Sequence, residues 1–166
     1  FFFPQTENLM DFKVDGKNIE IIDTRSECED FVIFGIRACD VKSFEVLDRV
    51  FLSEPVDSYY KNRREHGIIM SMACTKPAET CFCQTFGIDA ANPEGDIVCY
   101  KTDDALYMDA KTEKGEKLLE SVSGITEESD TKEADAQKEL IGERLKKLPL
   151  ANLKADAFGD GKTSEF

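Results

Sequence analysis

The stretch FVIFGIRACDVKSFEVLDRVF, residues 31–51, decides the fold. It opens with Phe31-Val32-Ile33-Phe34-Gly35-Ile36, an unbroken β-favouring run and the pattern of a strand buried on both faces. After Arg37-Ala38-Cys39-Asp40 the period changes. Val41, Phe44, Leu47 and Phe51 recur at helical spacing, and Asp40 is the expected N-cap. The helix is expected to stop before Pro55, with residues 56–65 forming a second short helix or an irregular crossover. Gly67-Ile68-Ile69-Met70-Ser71-Met72-Ala73 is a second apolar run, ending at Cys74. Strand, helical crossover and strand make a parallel βαβ unit. Neighbouring strands at about 31–36 and 67–73 then deliver Cys39 and Cys74 to one carboxyl edge, where open α/β sheets form ligand sites.

Upstream, residues 1–16 read as an extended entry segment with a turn at Asp15-Gly16, and Ile19, Ile21 and Ile22 mark a short strand within 18–23. Residues 24–30 read as a polar loop containing Cys28. Downstream, residues 75–93 read as a loop holding Pro77, Cys81-Phe82-Cys83, Gly87 and Pro93. Residues 96–101 and 105–109 read as a hairpin, 111–121 as a helix, and 126–148 as another, with Pro149 as its stop. The expected fold is α/β: a mixed sheet with the parallel βαβ unit, a β-hairpin and C-terminal helices. Residues 1–150 are expected to form one domain and residues 151–166, rich in Gly and Asp, a linker.

Charge narrows the partners. The chain carries 34 acidic against 21 basic residues, a net charge of -13. Such a surface repels nucleic-acid backbones and anionic lipid and favours basic protein patches. No apolar stretch approaches the roughly 18 residues of a membrane span, and Phe1-Phe2-Phe3-Pro4 is too short for a signal core. A cytoplasmic location is expected. The absence of an initiator Met suggests a piece of a longer polypeptide.

Six cysteines remain to be explained: Cys28, Cys39, Cys74, Cys81, Cys83 and Cys99. In a chain with no secretory signal, clustered thiols point to metal or redox chemistry rather than disulfides. Cys39, Cys74, Cys81 and Cys83 are separated by 34, 6 and 1 residues. Four thiolates are the donor set of a 4Fe-4S cluster or of structural zinc. The spacing matches neither the compact ferredoxin run nor paired zinc knuckles. Three readings are open: an iron–sulfur cluster, zinc, or metal-free thiols including a Cys81/Cys83 redox pair. A position beside a helix N-terminus, with Arg37 adjacent, favours a negative sulfur at Cys39. Cys28 and Cys99 read as structural. His66 is the only histidine, so sites built on two imidazoles are excluded. Arg63 and Arg64 read as a solvated helix end, and no Walker loop, dinucleotide-binding glycine motif or serine elbow occurs.

The segments FGIRACDVKSFEVLDRVF (34–51), YYKNRRE (59–65) and ACTKPAETCFCQTFG (73–87), with FFFPQTE (1–7) and TEKGEKLL (112–119), carry a resemblance. Together they resemble the N-terminal part of iron–sulfur electron-transfer subunits, typified by the anaerobic sulfite reductase A subunit and the beta subunit of cytoplasmic nickel–iron sulfhydrogenases. The likeness covers roughly residues 1–120. That family often reads Arg-Pro-Cys-Asp where this chain has Arg37-Ala38-Cys39-Asp40. The resemblance implies a cluster held by Cys39, Cys74, Cys81 and Cys83. It also implies electron transfer between flavin-containing and catalytic subunits, with no catalysis by this domain alone. In the family a ferredoxin-like module with two 4Fe-4S clusters follows. That module is missing here, so residues 151–166 are expected to lead toward it.

Overall fold

The computed structural model describes residues 1–154. Two antiparallel strands come first, β1 (Met10–Asp15) and β2 (Asn18–Asp23), turning at Gly16 with φ 61°. β2 and the turn lie where expected, and β1 is a paired strand within the segment expected to be merely extended; the alternation of Met10, Phe12 and Val14 signals it.

The main sheet has four strands: β3 (Phe31–Arg37), β4 (Gly67–Met72), β5 (Ile97–Lys101) and β6 (Leu106–Ala110). β3 and β4 are parallel neighbours, β4 and β5 are parallel, and β5 and β6 form the antiparallel hairpin. The mixed α/β fold is therefore as expected. Gly35, at φ 80°, breaks the β3–β4 register, so that Ile36 pairs with Ser71 and Arg37 with Met72. The extra residue returns Ile36 to the buried face that already carries Ile33, whereas Val32 and Phe34 on the other side are exposed, so the strand is not buried on both faces as expected.

β3 runs straight into α1 (Ala38–Phe51), whose N-cap is Arg37, with no side-chain cap. Asp40 is therefore not the N-cap. It lies in the first turn, where its negative charge still meets the positive end of the helix. α2 (Ser58–His66) is capped by Asp57, whose carboxylate accepts from the N–H groups of Tyr59 and Tyr60 at 3.0 Å. α3 (Glu113–Ser121) follows β6. α4 (Lys132–Lys146) starts later than the sequence periodicity suggested.

Two apolar clusters hold these layers. One joins Phe2, Ile33, Val41, Phe44, Tyr60 and Ile69; the other gathers Val98, Tyr100, Ile141 and Leu145 with Ala38, Ala73 and Ala90. Ile33 pairs with Ile69, and Ser71 with Val98, so α1 and α4 cover the same face of the sheet. Phe2 is a core residue rather than part of a loose entry segment, and its ring meets Phe44 edge-on at 4.8 Å.

The arginines expected at a solvated helix end hold this N-terminal plug instead. Arg64 pairs with Asp48 at 3.2 Å and stacks over Phe2, while Arg63 pairs with Glu7 and donates to the Phe2 carbonyl. His66 is structural, with Nδ1 2.7 Å from Asp30. Among the described residues no helix is long and apolar enough to cross a membrane. Of the expected linker, residues 155–166 lie outside the described residues. Leu153 is tied back, its carbonyl accepting from the Thr85 hydroxyl at 2.9 Å.

Candidate metal centre

The four cysteines singled out by spacing lie at the carboxyl edge of the main sheet. Cys39 is two residues beyond Arg37, and Cys74 is two residues beyond Met72, the register partner of Arg37. Two parallel strands of matched register thus release their chains at the same height. Cys39 falls on the second residue of α1, exposed, where the first backbone N–H groups of the helix lack intrahelical partners.

Cys74 opens the connection from β4 to β5, which must cross over because these strands are parallel. Its start is pinned on both sides. Ala73 N–H donates to the Cys99 carbonyl and Cys74 N–H to the Ala90 carbonyl, each at 2.9 Å. Ala90 comes from the far end of the same connection, so the loop closes on itself and returns its middle to the edge. Ala38, Ala73 and Ala90 are all buried there, and their small side chains let three backbone segments approach closely.

The middle of the loop carries the other two thiols. Cys81 closes a tight turn: its N–H donates to the Ala78 carbonyl at 3.0 Å, and its Sγ accepts from Ala78 N–H at 3.2 Å. Cys83 begins a short 3-10 turn, Cys83–Phe86, that ends at Gly87 with φ 67°. Only a residue that tolerates positive φ closes that turn without strain. Ile88 N–H then returns to the Cys83 carbonyl at 3.1 Å.

Electrostatics show that these thiols share one neighbourhood. Burial pushes the Cys74 thiol up; nearby Arg37 acts against this, and Cys81 and Cys39 add to it. Cys83 is raised first by burial, then by Cys39, Cys81 and Cys74. Each of Cys39 and Cys81 therefore acts on both Cys74 and Cys83. The backbone N–H of Lys76 works the other way, favouring the thiolate of Cys74. Spacing alone did not reveal this N–H or that of Ala78; Pro77, set between them, was the signal for the turn.

Cys99 and Cys28 stand apart. Cys99 is fully buried in β5, where desolvation pushes its pKa to about 11. Cys28 follows a 3-10 turn on the far side of β3 and is raised by burial and by Asp30. Among the described residues, no three His, Cys, Asp or Glu side chains are gathered as a group that could hold a metal ion. Four thiols served by backbone N–H groups and one cation are, in their chemistry, the donor set of a thiolate-held cluster or of zinc.

The chain is similar to a sulfhydrogenase beta subunit. The relative is "Sulfhydrogenase 2 subunit beta" of Pyrococcus furiosus, at 32% identity over 118 residues. The match covers 71% of this chain and 34% of that subunit, so the chain spans about a third of the relative's length. No family model matches the chain, and no solved structure matches it.

Proposed function

We propose that this chain is an electron-transfer domain of an oxidoreductase complex that holds an iron–sulfur cluster, 4Fe-4S in type, through Cys39, Cys74, Cys81 and Cys83. The observation that carries the reading is that register-matched β3 and β4 deliver Cys39 and Cys74 to one sheet edge, where the loop bearing Cys81 and Cys83 closes back through the Cys74–Ala90 bond. Similarity to a sulfhydrogenase beta subunit supports it. When bound, such a cluster supplies one-electron redox chemistry at a potential set by charge, hydrogen bonding and exposure.

The protein's own residues do the rest. Ala78 and Lys76 N–H groups lower the electron density on Cys81 and Cys74, and Arg37 offsets negative charge near Cys74. The exposed side of Cys39 leaves the edge open to a redox partner. In this reading the partners are flavin-containing and catalytic subunits, and the complex works in the cytoplasm, where thiols stay reduced. Residues 1–150 act as the thiol-bearing domain, with residues 151–166 leading toward a ferredoxin-like module; the sequence following Phe166 tests that part.

Anaerobic reconstitution with iron and sulfide tests the core of the proposal. The expected result is about four irons per chain with broad visible absorption. Cys39→Ser and Cys83→Ser should each abolish it, while Cys28→Ser should not. Stoichiometric zinc with no iron uptake would overturn the reading in favour of a structural thiol site.

A further inference from the structure

Among the described residues the β1–β2 hairpin pairs with no other strand. Phe12 lies opposite Ile21, and Val14 opposite Ile19, so all four side chains share one face. That face is open: Phe12 is 68%, Val14 60%, Ile19 69% and Ile21 68% exposed, and Met10 extends it. A two-stranded ribbon is marginally stable alone, and a contiguous exposed apolar patch of this kind marks an interaction surface.

Charge selects the occupant. The hairpin carries Asp11, Asp15 and Glu20 against Lys13 and Lys17, with Asp23 paired to Arg25, within a chain of net charge -13. A second copy would bring the same negative field to the contact, and anionic lipid would be repelled as well. We infer that this face docks a protein subunit whose apolar surface is flanked by Lys and Arg.

Position separates this contact from the thiols. The hairpin is fastened near the start of α2, where Tyr59 donates to the Leu9 carbonyl and Arg25 to Ser58. It leads through residues 24–30 into the first residue of β3, whereas Cys39 follows the last. The seven residues of β3 span roughly 20 Å at about 3.3 Å each. The ribbon therefore tethers the domain while its opposite end stays open to electron exchange. This deepens, and for its partner rests on, the reading of the chain as part of a complex.

The test uses the full chain, tagged and expressed in its own host. Benzoylphenylalanine replaces Phe12, and the crosslinked peptides are identified. The expected product joins position 12 to one other polypeptide, at an apolar segment flanked by Lys or Arg. Ile19→Thr with Ile21→Thr, which keeps β propensity, should cut co-purification of that polypeptide by about tenfold or more. Crosslinks only to a second copy, to another part of the same chain, to lipid or to nothing would overturn the inference, as would unchanged co-purification. Iron content is measured on the same samples. Normal iron with no crosslink defeats the docking inference alone; a crosslinked partner with no iron defeats the cluster reading alone.

Discussion

Cys39 and Cys99 differ by environment, not by chemistry. Cys39 is exposed at a helix start, whereas Cys99 is enclosed in β5 and held as a neutral thiol up to about pH 11. In metal-free protein at pH 8, an alkylating reagent should modify Cys39 early and spare Cys99 until the chain unfolds, as peptide mapping over time would show. The raised value also sets a pH dependence. Unfolding frees Cys99 to ionise near its ordinary value of 9.0, so the stability from its burial is intact below that pH. It is lost as pH rises toward 11. Denaturant midpoints should therefore fall between pH 9 and pH 11, and Cys99→Ala should flatten that slope. Gly35 makes a different demand. Its φ of 80° is a left-handed geometry with nothing within 4 Å of an added Cβ, so Gly35→Ala meets no clash and pays only conformational strain. Equilibrium unfolding should show a loss of about 1–2 kcal/mol.

At the scale of elements, the N-terminal segment behaves as part of the core. Phe2 fills the space between α1, α2 and the sheet, and Arg63 and Arg64 fasten it. Phe2→Ala should cost about 3–5 kcal/mol, measured by denaturant unfolding, although Phe2 lies near the chain end. Sequence did not reveal this, because three consecutive phenylalanines carry no periodicity and only a tertiary partner distinguishes Phe2 from its exposed neighbours. By contrast, the βαβ unit was legible: a continuous apolar run at 31–36 gives way to helical spacing from Val41, and a second run follows at 67–73. The start of α1 was misplaced because Asp40 resembles a cap, yet the strand passes into the helix at Arg37 without one. The frame of the candidate site was legible to the same depth. The common edge of Cys39 and Cys74 followed from parallel strands, whereas the return of Cys81 and Cys83 depends on backbone bonds to Ala78, Ala90 and Ile88 that carry no side-chain signature.

For the molecule as a whole, both principal helices cover one face of the sheet, the thiols lie toward its carboxyl edge, and the apolar hairpin is fastened at the start of α2. In the proposed reading, one edge exchanges electrons while a contact elsewhere fixes the domain in place. In that reading, four sulfurs from one edge hold a single cluster together. Native mass spectrometry of the anaerobically reconstituted chain reads this directly. The expected result is one species carrying four irons with four sulfides, absent from each single serine variant at positions 39, 74, 81 and 83. An intact cluster in the Cys39→Ser or Cys74→Ser chain, or a single bound zinc in place of it, would rule out a cluster shared by the four thiols.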